Sequence, residues 1–155
     1  MQVTQPSFAH HGDSSRSVVT TPTGGELHLA GDVALLARSA VCVIGSRRAS
    51  GLSLSSAAQV AAELVARGYV IVSGLAAGID AAAHEAAMLA GGRTIAVLGT
   101  PLDRVYPAQH AALQGRIQRE HLLVSPFPLR TRTARWHFPA RNRIMARLSL
   151  ATVRR

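Results

Sequence analysis

The sequence predicts an α/β fold in which a parallel sheet is covered by helices. Short continuous apolar runs, typical of strands buried on both faces, alternate along the chain with segments whose apolar residues recur at helical spacing. That alternation indicates right-handed βαβ units. The length of 155 residues leaves room for one domain, and the hydrophobic fraction of 48% is normal for a globular protein.

Four strands and four helices are expected to alternate. The predicted strands are the apolar runs at 40–44, 69–72, 94–98 and 122–124. The first helix carries Ala57, Ala61 and Leu64 on one face, with Ser53 as its N-cap and Gly68 as its stop. The other helices are predicted at 78–90, 110–119 and 139–148.

The ends of the chain and its single cysteine set further limits. Residues 1–25 are rich in Ser, Thr, Gly, Pro and His and lack apolar periodicity, so we expect a flexible leader, with the domain itself over 26–155. No apolar run approaches the roughly 18 residues that a membrane-spanning helix needs. Cys42 has no partner for an internal disulfide. These features favour a cytoplasmic protein without a membrane partner.

The charge is the most informative part of the composition. All 17 basic residues are arginine, against 8 acidic residues, and the formal net charge is +9. Guanidinium groups pair with phosphate in two-point geometry, although arginine-only usage also fits GC-rich codon usage. From His121 to Arg155 the chain carries eight arginines and no acid. This asymmetry favours a nucleic-acid surface, with a solvated basic tail as the alternative.

In parallel sheets of this kind, ligands bind where loops leave the carboxyl ends of the strands. The first such loop reads Gly45, Ser46, Arg47 and Arg48. Glycine lets a ligand approach the backbone, the serine hydroxyl and main-chain amides bind phosphate, and the arginines supply charge. We predict an anion-binding turn here, although any tight turn between strand and helix also favours a glycine.

The second loop, with Ser73, Gly74 and Gly78, opens the next helix and predicts a second anion pocket. Asp80 is expected to cap that helix. Asp80 and His84 are four residues apart on it and can meet, which raises the alternative of a hydrolytic triad with Ser73. The chain has no nucleophile elbow, and satisfied polar groups near a helix start explain the three residues equally well.

The third loop follows the strand at 94–98 and contains Arg104 and Tyr106. Either side chain has the chemistry to contact a nucleotide. We predict that Tyr106 instead is a buried support for the loop, and that Arg104 is a nucleic-acid contact.

The fourth loop interleaves aromatic residues with arginines, the arrangement that binds single strands by stacking bases and pairing phosphates. Phe127 follows the last predicted strand, and Trp136 and Phe138 precede the basic segment 141–143. The alternative is that the rings attach a long loop to the core. We favour that alternative for Phe138, which opens a helix.

Several common signatures are absent. The chain has no Gly-Lys-Ser/Thr phosphate loop and no Gly-x-Gly-x-x-Gly after a strand, which argues against the common nucleotide hydrolases and dinucleotide dehydrogenases. The histidines are scattered and the one cysteine lies in a strand, so no metal set has convincing spacing. The sequence therefore predicts no cofactor, no metal and no catalytic residue.

Four motifs stand in collinear order along the chain. They are Val-Ile-Gly-Ser-Arg-Arg-Ala-Ser (43–50), Ser-Gly-Leu-Ala-Ala-Gly-Ile-Asp-Ala-Ala-Ala-His (73–84), Thr-Ile-Ala-Val-Leu-Gly-Thr (94–100) with Leu-Asp-Arg-Val-Tyr-Pro (102–107), and His-Phe-Pro-Ala-Arg-Asn-Arg-Ile (137–144). In this order they resemble the DNA-processing protein A (DprA/Smf) family, over residues 27–149 approximately.

The resemblance implies a Rossmann-like three-layer fold with a mostly parallel sheet. It also implies single-stranded DNA binding, loading of the RecA recombinase in natural transformation, and no catalysis. The positions that match the family's binding motifs are Gly45, Ser46 and Arg47, then Ser73, Gly74 and Gly78, and finally Arg141, Asn142 and Arg143. Phe127 matches the aromatic residue of the family's Ser-Glu-aromatic-Pro motif. Together with Arg48 and Arg104, these residues form the predicted DNA contact set.

The chain departs from the family in two places. Pro126 stands where the family usually has glutamate, which would alter the loop that presents Phe127. After Ser149 the family continues into another apolar strand and helix, whereas this chain stops after six further residues. We therefore expect a truncated core that lacks its last strand. Homodimer formation and RecA contact would be affected, because the family's C-terminal part carries them.

Two rival functions stay open at this point. The first is a nucleotide sensor or phosphoribohydrolase-like enzyme of related fold, although the Gly-Gly-x-Gly-Thr-x-x-Glu motif of that class is missing, since Arg93 follows Gly91 and Gly92. The second is a truncated, non-functional remnant.

Overall fold

The computed structural model describes residues 16–21 and 24–155. The strands are β1 (Arg16–Thr20), β2 (Glu26–Gly31), β3 (Ala40–Ile44), β4 (Val70–Ser73), β5 (Thr94–Val97), β6 (Leu122–Ser125) and β7 (Ala151–Arg154). The α-helices are α1 (Gly51–Ala66), α2 (Ile79–Leu89), α3 (Ala111–Glu120) and α4 (His137–Leu148). Short 3-10 helices cover Val33–Ala37 and Ala108–His110.

The seven strands form one sheet in the order β1-β2-β6-β5-β4-β3-β7. Strands β3 to β6 are neighbours in chain order and pair in parallel through the crossovers α1, α2 and α3. β7 adds in parallel on the other side of β3, and β2 and β1 continue antiparallel beyond β6. The predicted α/β architecture with a mostly parallel sheet is confirmed.

Each central strand buries side chains on both faces, which explains the continuous apolar runs. On one face Val43 and Ile71 pack against Ala57 of α1 and Ala83 of α2. On the other face the core includes Cys42, Val72 and Ile95 of the strands and Met145 of α4. Helices therefore cover both faces of the sheet in three layers.

Helix α1 begins one turn earlier than the sequence suggests. Its N-cap is Ser50, whose Oγ accepts a hydrogen bond from the Ser53 N–H at 3.2 Å. Ser53, the predicted N-cap, lies inside the first turn and is the donor in that interaction, so this assignment is wrong. The two serines have the same capping chemistry, and only the backbone conformation distinguishes them. Gly68, with φ +85°, follows the helix end as predicted.

The predicted leader contains a strand. Residues 1–15, 22 and 23 lie outside the described residues. Residues 16–20 form β1, which pairs with β2 in a register that places Val18 opposite His28. The flexible-leader prediction is therefore wrong for these residues. A five-residue strand at a sheet edge, half-buried at most, carries too weak an apolar pattern to stand out in a polar segment.

The edge beyond β3 also differs from the expectation. Residues 151–154, which the sequence analysis places after the last element, form β7 with Ala151 opposite Val41 and Arg154 opposite Ile44. The prediction that the sheet lacks a strand at this position is corrected. The short segment contains only one apolar residue larger than alanine, Val153, and is half-buried at most, so its strand character depends on pairing with β3.

Candidate nucleic-acid interface

The site lies at the point in the sheet where the order of successive strands changes direction. From β3 the strands progress toward β6, whereas α4 carries the chain back over the opposite face to β7. β3 and β7 are parallel neighbours at this point, and in such sheets ligands bind in the crevice at the carboxyl ends of the strands where the strand order changes direction. A cleft of about 600 Å³ occupies this position. Its polar and charged lining comprises Ser46, Arg47, Asp80, Arg141, Asn142, Arg154 and Arg155.

The turn after β3 forms one wall of the cleft. The Ser46 hydroxyl accepts a hydrogen bond from the Arg48 N–H at 3.0 Å, which closes the turn. Gly45, Ser46 and Arg47 line the cleft, and Arg48 is exposed outside it. The Arg47 guanidinium lies 5.4 Å from the centroid of the Phe138 ring, within cation–π range. The structure thus brings three of the four predicted residues of this turn together.

The turn after β4 packs directly on the turn after β3. The Ile79 N–H donates to the Ser46 carbonyl at 3.2 Å. Gly78 has φ +78°, and a Cβ there would overlap the Ser46 carbonyl oxygen, so a glycine is required at this position. Because Gly78 has no side chain, the two predicted anion turns can pack directly against each other.

Ser73 has a different role from the one predicted. It is completely buried, and its Oγ donates to the Val43 carbonyl at 2.6 Å. The hydroxyl therefore joins β4 to β3 and does not face a ligand, which corrects its assignment as a contact residue. Gly74 is buried beside it and provides a carbonyl acceptor for Arg141.

Asp80 closes the second turn instead of capping α2. Its Oδ2 accepts from the N–H groups of Gly74 at 3.2 Å and Ala76 at 3.4 Å. His84 is completely buried, and its Nδ1 lies 2.6 Å from Thr94 Oγ1. Asp80 and His84 thus have separate partners, and with Ser73 bonded to Val43 the hydrolytic triad is not assembled.

Arg141 is a buried support of the cleft. It is 6% exposed, and its guanidinium donates to the carbonyls of Gly74 and, at 3.0 Å, Val97. Its Nη2 lies 3.7 Å from Asp80 Oδ2. Burial raises the pKa of Asp80 and lowers the pKa of Arg141, and the attraction between the two charges opposes both shifts. Arg141 reaches the cleft with one edge only, because most of its donors are occupied.

The two residues after Arg141 differ in position, because one lines the cleft and the other does not. Asn142 lines the cleft, and its Oδ1 accepts from Arg141 Nε at 3.3 Å. Arg143 is exposed on α4 and does not line the cleft. Successive helical residues point about 100° apart, so one segment cannot present all three side chains to the same ligand.

Arg104 is exposed on the loop after β5, and its carbonyl, which accepts from Gln114 Nε2 at 2.9 Å, ties the loop to α3. Tyr106 is 52% exposed, so the prediction that it is buried is wrong. Its ring lies 5.3 Å from that of Phe138, which packs over Gly99. Both rings and Arg47 line a smaller pocket of about 60 Å³ at this edge.

Phe127 is 6% exposed and stacks on His137 at a centroid distance of 3.7 Å. Its ring is therefore occupied, which corrects the expectation that it presents a face to DNA. Trp136, by contrast, is 64% exposed. Exposure on this loop could not be assigned from composition, because aromatic residues serve equally well as core and as contact residues.

Sequence reasoning missed Arg154 and Arg155 as cleft residues. Both line the cleft, and Arg155 lies beside the turn after β3, where its N–H donates to the Ile44 carbonyl at 2.9 Å. Their position follows from the pairing of β7 with β3, and the segment has too few apolar residues to predict that pairing. The excess of arginine after His121 was the one available signal.

Two classes of site find no support in the part of the chain that the structure describes. No group of three or more His, Cys, Asp or Glu side chains there is placed to hold a metal ion. None of the described helices is both long and apolar enough to cross a membrane.

Comparison with known proteins identifies related sequences and structures. The DNA recombination-mediator protein A family matches residues 15–154. DNA processing protein DprA of Streptococcus pneumoniae is 47% identical over 118 residues, which are 76% of this chain and 42% of that protein. The chain spans less than half the length of this relative and of similar proteins from Synechocystis and Bacillus subtilis.

Two solved structures share the fold over most of the chain. The Streptococcus pneumoniae DNA processing protein A matches with a TM-score of 0.80 and 43% identity, covering 83% of this chain and 45% of that one. The Helicobacter pylori DNA processing protein A, described for its single-stranded DNA binding mode, matches with a TM-score of 0.78 and 30% identity. It covers 97% of this chain and 68% of the Helicobacter chain.

Proposed function

This chain belongs to the DNA recombination-mediator protein A family, and from that premise we propose that it binds single-stranded DNA through the cleft at the carboxyl ends of β3 and β7. The observation that carries the proposal is the lining of that cleft. Arg47, Arg154 and Arg155 line this space, and Asp80, the one acidic side chain among the described lining residues, is paired with Arg141. The cleft thus has an excess of positive charge that suits phosphate.

Binding is proposed to be electrostatic and independent of base sequence. The arginines of the cleft pair with backbone phosphates through charge-assisted hydrogen bonds. The rings of Tyr106 and Phe138 lie within reach of Arg47, where a base of the same strand can stack. Affinity should therefore decrease steeply with salt and favour single strands over duplex.

The proposed activity includes no catalytic step. Ser73, Asp80 and His84 are the residues most like a hydrolytic set, and the side chain of each bonds to a group other than the side chains of the other two. This arrangement supports a binding role.

We further propose that the bound strand is passed to a RecA-type recombinase in DNA uptake. The support is the family itself, whose members are described as recombination mediators. Homodimer formation stays a prediction from the family resemblance.

The test is fluorescence anisotropy of a labelled oligothymidine titrated with the chain across a salt series. We expect saturable binding whose log affinity decreases linearly with log salt, with a slope set by the number of phosphates neutralised. A duplex of the same length is the control and should bind more weakly. Absence of binding at low salt, by a sample with a cooperative thermal transition, would contradict the proposal.

A further inference from the structure

The loop after β6 carries exposed basic and apolar side chains that the phosphate cleft does not use. We name this surface the Trp136 ridge, defined as the exposed residues Leu129, Arg130, Arg132, Arg135 and Trp136. None of its arginines has an ion-pair partner among the described residues. The ridge is therefore an exposed basic surface that includes one large aromatic side chain, Trp136.

The ridge is held in place at both ends. At its start, Arg130 adopts φ +65°, and its N–H donates to the Asp103 carboxylate at 3.2 Å. At its end, the His137 N–H donates to the Ala134 carbonyl at 3.1 Å, at the beginning of α4. A loop fixed at both ends loses little further entropy when a ligand binds.

The Trp136 ring packs edge-on against two other aromatic rings. Its ring lies 4.3 Å from the His137 ring at 89° and 5.9 Å from the Phe127 ring at 80°. Because His137 and Phe127 stack on each other at 3.7 Å, the three centroids form roughly a right angle at His137, and the indole lies beside the stack. This contact leaves 64% of Trp136 exposed.

We propose that the Trp136 ridge is a second DNA subsite, in which the indole stacks on an unpaired base while the ridge arginines pair with flanking phosphates. The inference rests on the proposed function, since it assumes a strand held in the cleft. An indole surrounded by guanidinium groups suits an unpaired base and its backbone. The ridge and the cleft share the carboxyl edge of one sheet, which allows a single strand to reach both.

The spacing of the two subsites sets a minimum length. The carboxyl ends of β6 and β3 are three strand positions apart, or about 14 Å. At roughly 3.4 Å per stacked nucleotide, that distance corresponds to about four nucleotides. We therefore expect a mononucleotide or dinucleotide bound at the β3 and β7 end of the cleft not to extend to Trp136.

The experiment uses Trp136 emission, because it is the only tryptophan in the chain. Excitation at the red edge of indole absorption avoids thymine. We expect an oligothymidine of roughly twelve nucleotides to quench the emission with the midpoint that anisotropy gives. Thymidine monophosphate and the dinucleotide should leave it unchanged. Quenching by the monophosphate at similar concentration would overturn the two-point geometry.

Variants separate stacking from charge. Trp136→Ala should weaken binding of the long oligothymidine by about 5- to 150-fold and leave binding of the dinucleotide unchanged. Trp136→Phe should restore most of the affinity. The matched control is Leu89→Ala, which removes a 91% exposed apolar side chain on α2 and should have no effect.

The remaining outcomes distinguish this inference from the proposed function. Normal anisotropy with unquenched emission would overturn the ridge subsite and leave the cleft in place. Absence of binding of the long oligothymidine would overturn both. A blue shift with phosphatidylserine vesicles, together with no quenching by oligothymidine, would assign the ridge to a membrane surface and overturn the proposal.

Discussion

Arg141 and Asp80 form an ion pair in which both side chains are almost completely buried, with 3.7 Å between Nη2 and Oδ2. Arg141 also donates to the carbonyl of Gly74, which follows β4, and to the carbonyl of Val97, which ends β5. One guanidinium therefore joins α4 to two loops of the cleft. Arg141, one of the predicted DNA contacts, thus acts mainly in building the site.

Replacing Asp80 should destabilise the whole fold. Asp80→Asn leaves the Arg141 charge buried without its partner, and we expect the free energy of unfolding to decrease by about 3–5 kcal/mol. Urea denaturation followed by circular dichroism measures it. Glu85→Gln, an exposed change on the same helix, should stay within about 0.5 kcal/mol of the parent. Equal stability of both variants would show that the pair is not a structural element.

Arg47 is the most direct test of the phosphate cleft. Arg47→Ala should weaken oligothymidine binding by about 1–3 kcal/mol and lower the salt slope by about one, as loss of one phosphate contact would. The control is Arg67→Ala, an exposed arginine at the opposite end of α1. If the two variants bind equally well, the anion-turn assignment is wrong. Anisotropy gives both quantities.

His84 should make stability decrease in acid. Burial lowers its pKa from the ordinary 6.5 to about 3, so between these values only the unfolded chain takes up the proton. The stability contributed by the neutral imidazole is complete above 6.5 and is lost as the pH falls toward 3, at about 1.4 kcal/mol per pH unit. Urea unfolding from neutral to acidic pH should show that slope. His84→Asn should flatten it, and an unchanged slope would assign the effect to other groups.

Gly78 should tolerate no side chain. Gly78→Ala combines an unfavourable positive φ with overlap on the Ser46 carbonyl, and we expect a loss of more than about 2 kcal/mol together with weaker DNA binding. Gly91→Ala is matched, because Gly91 also has positive φ but faces open space. It should cost only about 1–2 kcal/mol and leave binding unchanged. A similar cost for both changes would contradict the contact between the two turns.

Ser50 should matter more than Ser53 for α1. Ser50→Ala removes the N-cap acceptor and should lower the free energy of unfolding by about 1 kcal/mol. Ser53→Ala keeps the backbone donor and should change it by less than about half as much. Thermal denaturation of the two variants, measured side by side, decides the assignment. The reverse order would restore Ser53 as the cap.

The parts of the fold that the sequence predicts well are those whose physics is local. The run at 40–44 is apolar at every position because β3 is covered on both faces, and Gly68 follows α1 because only glycine adopts positive φ without cost. β1 and β7 were missed because each is a short, half-buried edge strand. β1 depends on pairing with β2, which follows it closely, and β7 depends on pairing with β3, more than a hundred residues earlier, so neither is marked by an apolar pattern of its own.

At the candidate site, too, local features could be predicted from the sequence and features that depend on packing could not. The sequence locates the loops correctly, because parallel sheets place ligands at carboxyl strand ends. It does not tell which side chains within a loop face outward. Arg141 shares a helix face with the buried Met145, four residues on, and that spacing was an available sign of its burial. No comparable pattern separates the buried Phe127 from the exposed Trp136.

The pairing of β7 with β3 bears on the stage of folding at which the DNA cleft is complete. Strands β3 to β6 join through short crossovers, so this part of the sheet can assemble by successive local steps. β7 must instead find Val41 and its neighbours from more than a hundred residues away, a contact with a high loop-closure cost. Arg154 and Arg155, at the end of β7, line the cleft together with the turn after β3. The cleft is therefore complete only when this long-range strand pair has formed.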